Sequence, residues 1–304
     1  MKRMKMRLLL ILFLIVQGTG YSLPACARNL NVTDLLGRRM DIPENPGRVV
    51  SLAPNITEIV FALGQSQRLV GVTTYSDYPP EAEKLPKVGS YVHLDLERIV
   101  SLAPDLCLAI KDGNPIAAVS RLESLGIPVY AVDPRNLEGV MDALTRIGGL
   151  LQAKEQAQVL VRDMRRRIRA VQNRVAKTDY RPSLFWQIGV SPIVSAGTNT
   201  FIQELIVLAG ARNLAQGDIA YPRFSKEQVL EMSPEIIIVT TMARTASFER
   251  IKQDWYQWAD LPAVKNDRIY LTDSNLFDRP SPRLVDALEI LVRLIHPELF
   301  GEHS

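Results

Sequence analysis

The chain is poor in the residues that bind soft metals. Its 304 residues include two cysteines, Cys26 and Cys107, and three histidines, His93, His296 and His303. Two cysteines exclude a disulfide-rich scaffold and any multi-cysteine zinc or iron–sulfur site. A zinc site built on histidine needs several of the three to converge, and their spacing argues against that. Long apolar runs are equally scarce. The one unbroken run, residues 8–16, has nine residues, against about 20 for a membrane-spanning helix. A basic surplus is also missing. Of the 36 Lys and Arg, four (Lys2, Arg3, Lys5, Arg7) precede Arg28, and none of the 33 Asp and Glu do; the remainder carries 32 basic against 33 acidic residues, a net charge of −1. A nucleic-acid partner calls for the opposite balance. The phosphate-cradling, dinucleotide, zinc-protease and serine-hydrolase motifs Gly-x-x-x-x-Gly-Lys, Gly-x-Gly-x-x-Gly, His-Glu-x-x-His and Gly-x-Ser-x-Gly are absent as well. No catalytic residues, resident cofactor or metal are expected.

What is present begins with an export signal. A basic start, the short apolar run and the small residues of Ala25-Cys26-Ala27 predict a signal peptide over residues 1–27, cleaved before Arg28. Leu23-Pro24-Ala25-Cys26 is an alternative lipoprotein box, in which Cys26 carries the lipid. Cleavage is favoured because the Ala-x-Ala pattern is complete. The mature chain is expected to be periplasmic and soluble. Cys107, inside Leu106-Cys107-Leu108-Ala109, reads as a small buried hydrophobe.

The body alternates short apolar runs with helical patterns. Strands are predicted at 49–52, 69–73, 106–109, 129–132, 183–188, 236–239 and 269–271. That alternation predicts an α/β fold with parallel sheets covered on both faces. The first helix is predicted over 56–63, with Asn55 as its cap and Gly64 as its stop. Two internal repeats suggest duplication. Glu97 and its helix, followed by Pro104-Asp105-Leu106, match Glu227 and its helix, followed by Pro234-Glu235-Ile236; Glu58 up to Gly64 matches Glu204 up to Gly210. Between the halves, Ala157, Val161, Met164, Ile168, Val171 and Val175 form one helical stripe. The helix from 153 to 176 is roughly 36 Å long. Its arginines, among them Arg162, Arg165, Arg166, Arg167 and Arg169, read as a solvated face because Glu155 and Asp163 share it. The predicted organisation is an N-terminal lobe (28–150), an interlobe helix (151–178) and a C-terminal lobe (179–304).

Four loops carry aromatic and polar residues after strands or before repeat helices: Tyr75-Ser76-Asp77-Tyr78-Pro79-Pro80, Gly89-Ser90-Tyr91-Val92-His93, Ala220-Tyr221-Pro222 and Asn275-Leu276-Phe277-Asp278-Arg279-Pro280. Ligands of parallel sheets bind at the carboxyl ends of strands, so these loops are expected to face one cleft between the lobes.

Those loops, the opening run Arg48-Val49-Val50-Ser51-Leu52-Ala53-Pro54, Thr57-Glu58 and Ser281-Pro282-Arg283 resemble the periplasmic solute-binding proteins of the helical-backbone class, and most closely their cobalamin-binding branch. The resemblance implies two Rossmann-like lobes bridged by one long helix, a cobalamin or related corrinoid held between them, and delivery to an inner-membrane ABC permease dimer. It implies ligand contacts from Tyr75, Tyr91, Tyr221, Asn275, Leu276, Phe277, Asp278 and Arg279. Glu97 and Glu227 match the glutamates that dock on permease arginines. Tyr91 and Tyr221 stand where the branch has tryptophans, and Ile110 replaces another, so a haem or ferric-siderophore ligand stays open; a tyrosine oxygen can ligate haem iron. A monomeric carrier is expected. A secreted hydrolase with an unrecognised site and a periplasmic sensor are the readings from other classes.

Overall fold

The computed structural model describes residues 29–190, 192–240 and 246–301, and side chains within them except those of residues 246–249. The predicted signal, Cys26 and His303 lie outside the described residues.

The chain opens with an antiparallel hairpin, β1 (Asn29–Thr33) and β2 (Arg39–Pro43). The first lobe follows as β3 (Val49–Ser51), α1 (Pro54–Ala62), β4 (Leu69–Gly71), α2 (Leu96–Ser101), β5 (Leu106–Ile110), α3 (Ile116–Ser124), β6 (Val129–Val132) and α4 (Leu137–Leu150). A single helix, α5 (Lys154–Val175), crosses to the second lobe. That lobe comprises β7 (Ser183–Gln187), β8 (Gly189–Val190), β9 (Ile193–Val194), α6 (Phe201–Leu208), β10 (Arg212–Asn213), β11 (Arg223–Phe224), α7 (Lys226–Met232), β12 (Ile236–Thr240), α8 (Ala246–Tyr256), α9 (Pro262–Lys265), β13 (Ile269–Thr272), α10 (Ser274–Phe277) and α11 (Leu284–Ile295).

Each lobe is built on a four-stranded parallel sheet, and the two sheets share one topology. The orders are β4-β3-β5-β6 and β10-β7-β12-β13. In both, the first strand of the lobe lies second, the second lies at the edge, and the third and fourth extend the other side. The central strands are buried on both faces, as parallel sheets covered by helices require. The repeat read from the sequence is thus a repeat of topology. The small sheet β11-β9-β8 is antiparallel and belongs to the second lobe alone; its strands of two residues are too short for a periodicity to reveal.

Three apolar clusters hold the molecule. Two lie on the outer face of one lobe each. The third runs without interruption through both, from Val49, Ile56 and Leu144 to Leu184, Leu205 and Leu288. The inner stripe of α5 enters that shared core through Ala157, Met164, Val171 and Val175. Cys107 is a free thiol buried within β5, and burial pushes its pKa up to about 12, which makes it inert.

Two local expectations need correction. Asn55 does not cap α1: the helix begins at Pro54 with Ala53 as its N-cap and no side-chain cap. Proline suits the first helical position because its missing N–H has no partner there anyway. Asn55 instead donates to the carbonyl of Pro280 in the other lobe. Arg167 does not belong to a purely solvated face; it is tied to Asp286 and Glu289 of α11.

Candidate ligand cleft

In both parallel sheets the strand order reverses at the first strand, which places a switch point at the carboxyl ends of β3 and β5 in one lobe and of β7 and β12 in the other. The aromatic loops leave the neighbouring strands, β4 in the first lobe and β10 and β13 in the second.

Tyr75 follows β4 and is 47% exposed. Its loop is pinned from behind by buried hydroxyls. Thr57 Oγ1 lies 2.8 Å from Ser51 Oγ and 2.9 Å from Ser76 Oγ, and Thr73 Oγ1 lies 2.9 Å from Ser76 Oγ. Lys87 Nζ donates to the carbonyls of Ser76 and Ala82; burial lowers its pKa. An exposed aromatic on a backbone held this firmly is fixed in place before any contact is made.

Tyr91 meets Tyr75 edge to face, with ring centroids 6.3 Å apart at 66°. Two glycines make its position accessible. Gly89 has φ +87°, and a Cβ there would stand 2.4 Å from the His93 carbonyl; at Gly113, φ +140°, it would stand 2.9 Å from the Tyr91 ring. Buried Asn114 finishes the arrangement. Its amide nitrogen donates to the carbonyls of Leu52 and Tyr91, and its oxygen accepts from the Ile110 amide. Nothing in the sequence pattern singled out Asn114 or Ser76, because a polar residue's partners are set by tertiary contacts.

Tyr221 belongs to the opposite lobe. It lines a recess of about 540 Å³, measured with the space open to solvent, together with Ile110, Asp112, Arg135, Thr200 and Pro280. Burial raises its pKa, and the nearby carboxylates of Asp112 and Asp278 add to the rise. The N-lobe wall of this recess is charged but balanced: Arg135 Nε donates to Asp133 at 2.9 Å and its terminal nitrogen lies 3.3 Å from Asp112, while Lys111 lies 3.4 Å from Asp133. The sequence reading did not include these four residues.

The segment expected as a ligand loop has a different role for several of its members. Asn275, Leu276 and Phe277 form one helical turn, α10, capped by Asp273. Phe277 is 2% exposed and packs on Trp186 in the shared core, 5.7 Å between rings. Leu276 packs against the same cluster. Arg279 is spent on protein partners: it donates to Asp77 at 2.7 Å, to Glu58 at 3.1 Å, to the Tyr75 carbonyl at 2.9 Å and to Asn275 at 2.5 Å. Asn275 also donates to Asp77. This turn therefore clamps the C-terminal lobe to the Tyr75 loop. Asp278 has one carboxylate oxygen buried without a partner among the described residues. Burial pushes its pKa up to about 7, against a hydrogen bond with Thr240, with Asp273 raising it further and Arg279 lowering it.

Glu58 completes the clamp. It is 3% exposed, accepts from Ser281 Oγ at 2.6 Å and lies 3.6 Å from Arg283, whose guanidinium stacks on Tyr78 at 3.6 Å. Burial raises its pKa, and Ser281, Arg279 and Arg283 pull it back only in part.

Glu97 and Glu227 are exposed at equivalent places, in the first turns of α2 and α7. Asp95 caps α2, and Ser225 forms a capping box with Gln228 on α7. Each helix leads into an inner strand of its sheet, so each begins at the carboxyl edge where the cleft opens. Hydrogen bonds from its own backbone N–H and from Ser225 lower the Glu227 pKa. Neither glutamate has an ion-pair partner among the described residues. No group of three or more metal-binding side chains stands together among them either.

Comparison with known proteins accounts for this architecture. The chain is 32% identical over 280 residues to an uncharacterized ABC transporter substrate-binding lipoprotein of Bacillus subtilis, covering 90% of this chain and 87% of that one. It superposes on the periplasmic vitamin B12 binding protein BtuF of Vibrio cholerae with a TM-score of 0.73 at 30% identity, over 86% of this chain and all of that one. A periplasmic haem-binding protein of Pseudomonas aeruginosa gives 0.77 at 28% identity, over 83% and 93% of the two chains. The profile of the periplasmic binding protein family matches residues 49–276, and the chain belongs to that family of ABC-transporter substrate-binding proteins.

Proposed function

We propose that this chain captures cobalamin, or a related corrinoid, between its lobes and presents it to an inner-membrane ABC permease, without catalysing any reaction. The observation that carries the reading is the edge-to-face meeting of exposed Tyr75 with half-buried Tyr91 on loops fixed from behind, with Tyr221 of the other lobe lining a recess that Ile110 and Asp112 of the first lobe share. Aromatic faces on both walls suit a large, flat macrocycle, which gains contact area without ordering flexible side chains. Similarity to the vitamin B12 binding protein supports the corrinoid. A second reading, haem, has its own support: the three aromatics are all tyrosines, whose oxygens can ligate iron, and a haem-binding neighbour shares the fold.

In this reading residues 28–150 and 179–304 act as the two walls and residues 151–178 as the strut between them. The signal is cleaved after Ala27 and the carrier is a soluble periplasmic monomer. The similar Bacillus protein is a lipoprotein, so intact mass of the exported chain decides between a start at Arg28 and a diacylglyceryl group on Cys26.

Titration calorimetry of residues 28–304 with cyanocobalamin, haemin and a ferric siderophore tests the ligand. Saturable one-to-one cobalamin binding, far tighter than the others and weakened by Tyr75→Ala, is expected. A folded protein that binds haemin and ignores cobalamin overturns the first reading in favour of the second. In the same material, Glu97→Ala with Glu227→Ala is expected to keep ligand affinity and abolish ligand-dependent stimulation of the permease ATPase; charged pairs steer and orient such encounters. Unimpaired stimulation removes the docking role.

A further inference from the structure

The repeat that relates Glu58 to Glu204 does more than place two glutamates at similar points in similar helices. Each of them leaves its own lobe. Glu58, on α1 of the first lobe, accepts a hydrogen bond from Ser281 of the second, 2.6 Å away, just before α11 begins. Glu204, on α6 of the second lobe, accepts from the backbone N–H of Leu137, also 2.6 Å away, the first residue of α4 in the first lobe. The helices α4 and α11 are the last of their respective lobes. A carboxylate from the first helix of each lobe thus holds the start of the last helix of the other.

The two contacts flank the cleft. Pro280, beside Ser281, and Phe201 with Arg135, beside the Glu204 contact, all line the Tyr221 recess. Between the contacts lies the part of the apolar core that both lobes share. A continuous core resists separation of the lobes yet permits small sliding of packed helices. Directional hydrogen bonds at two separate points, one buried and one half-buried, cut that freedom to rotation about the line that joins them, which one point alone does not.

We propose that Glu58 and Glu204 are reciprocal cross-lobe latches that fix the spacing of the cleft walls in the ligand-free protein. The Glu58 latch is the one coupled to the ligand wall. Arg279 links Glu58 to Asp77 and to the Tyr75 carbonyl, so widening the cleft at Tyr75 pulls on Glu58. The Glu204 latch has a single backbone partner and acts as the pivot. The idea concerns the carrier reading of this fold and does not depend on which ligand is carried.

Pulsed electron paramagnetic resonance on the ligand-free protein tests it. Nitroxides are placed through Ser120→Cys on α3 and Glu231→Cys on α7, both exposed and on opposite lobes; Cys107 is buried and stays unlabelled. The parent is expected to give one narrow distance. Glu58→Ala and Glu204→Ala, which remove the acceptor oxygens, are each expected to broaden it, and the double variant to lose the single narrow distance. If Glu58→Ala fails to fold, Ser281→Ala removes the donor of the same hydrogen bond and carries the measurement. A folded double variant with the parent's distribution overturns the proposal and reduces both glutamates to local stabilisers.

Discussion

The two lobes share a strand order and differ in how they meet each other. On the first-lobe side of the junction, Glu58 and Asp77 face Arg279 and Arg283, two charges of each sign, largely out of water. On the second-lobe side, Glu204 meets one backbone N–H. The apolar positions of a duplicated fold are constrained by the shared core, so they stay alike. The charged positions are constrained only by balance at each site, so they diverge. The outcome is a junction with one ionic edge, beside the Tyr75 loop, and one lightly held edge, beside Tyr221.

Removing each glutamate in turn separates the two edges by the largest expected effect. Glu58→Ala leaves Arg279 and Arg283 partly buried without their shared carboxylate, and losses of that kind cost about 3–5 kcal/mol. Glu204→Ala leaves one N–H unpaired at a half-buried helix start, with an expected cost of about 1–3 kcal/mol. Urea unfolding measures both. Equal losses, or a larger loss at Glu204, erase the distinction between the two edges.

Asp278 offers a second, smaller test, through pH. Burial raises its folded-state pKa from 3.8 to about 7, so the folded protein holds this proton more tightly than the unfolded chain. The associated stability is complete below the unfolded value and is lost as pH rises through about 7. One such proton gives a slope of about 1.4 kcal/mol per pH unit between those limits. Asp278→Asn is expected to flatten stability over pH 5–7 and to leave pH 8–9 more stable than the parent. An unchanged slope assigns the pH dependence to other groups. No counterpart is expected in the first lobe, where the loop after β6 carries Asp133 paired with Arg135 and Lys111 instead.

The sequence disclosed the scaffold of each lobe and little of the junction between them. Strands such as 129–132 and 106–109 were legible because parallel strands buried on both faces read as apolar runs. The stripe of α5 was legible because one face enters the core. Tyr75, Tyr91 and Tyr221 stand out along the chain because they interrupt that pattern in the loops between strands and helices. Phe277 and Arg279 were not. They lie in the same run as Asn275, and nothing along the chain distinguishes an aromatic aimed at a ligand from one packed on Trp186. An arginine turned toward Glu58, 221 residues away in sequence, leaves no local periodicity at all. The hydroxyls of Ser51, Thr57, Thr73 and Ser76 are hidden for the same reason.

The helix between the lobes carries the comparison to its finest scale. It is tied to the first lobe by Arg165, which pairs with Glu138 on α4 at 2.6 Å, both side chains at least half exposed. It is tied to the second lobe by Arg167, which reaches Asp286 and Glu289 on α11, each at 2.6 Å, from a less exposed position. Hydrogen bonding to Glu289 raises the Arg167 pKa, and Arg167 in turn lowers that of Glu289. An exposed single pair contributes little after screening and side-chain ordering, whereas a bidentate arginine in a network retains more. Arg165→Ala is therefore expected to change unfolding stability by a few tenths of a kcal/mol and Arg167→Ala by about 1 kcal/mol. The Arg167 loss should shrink in 1 M salt, where the Debye length falls to about 3 Å. If Arg165 is the costlier loss, the helix is anchored to the first lobe rather than the second, and rocking of the walls pivots at α11 instead of α4.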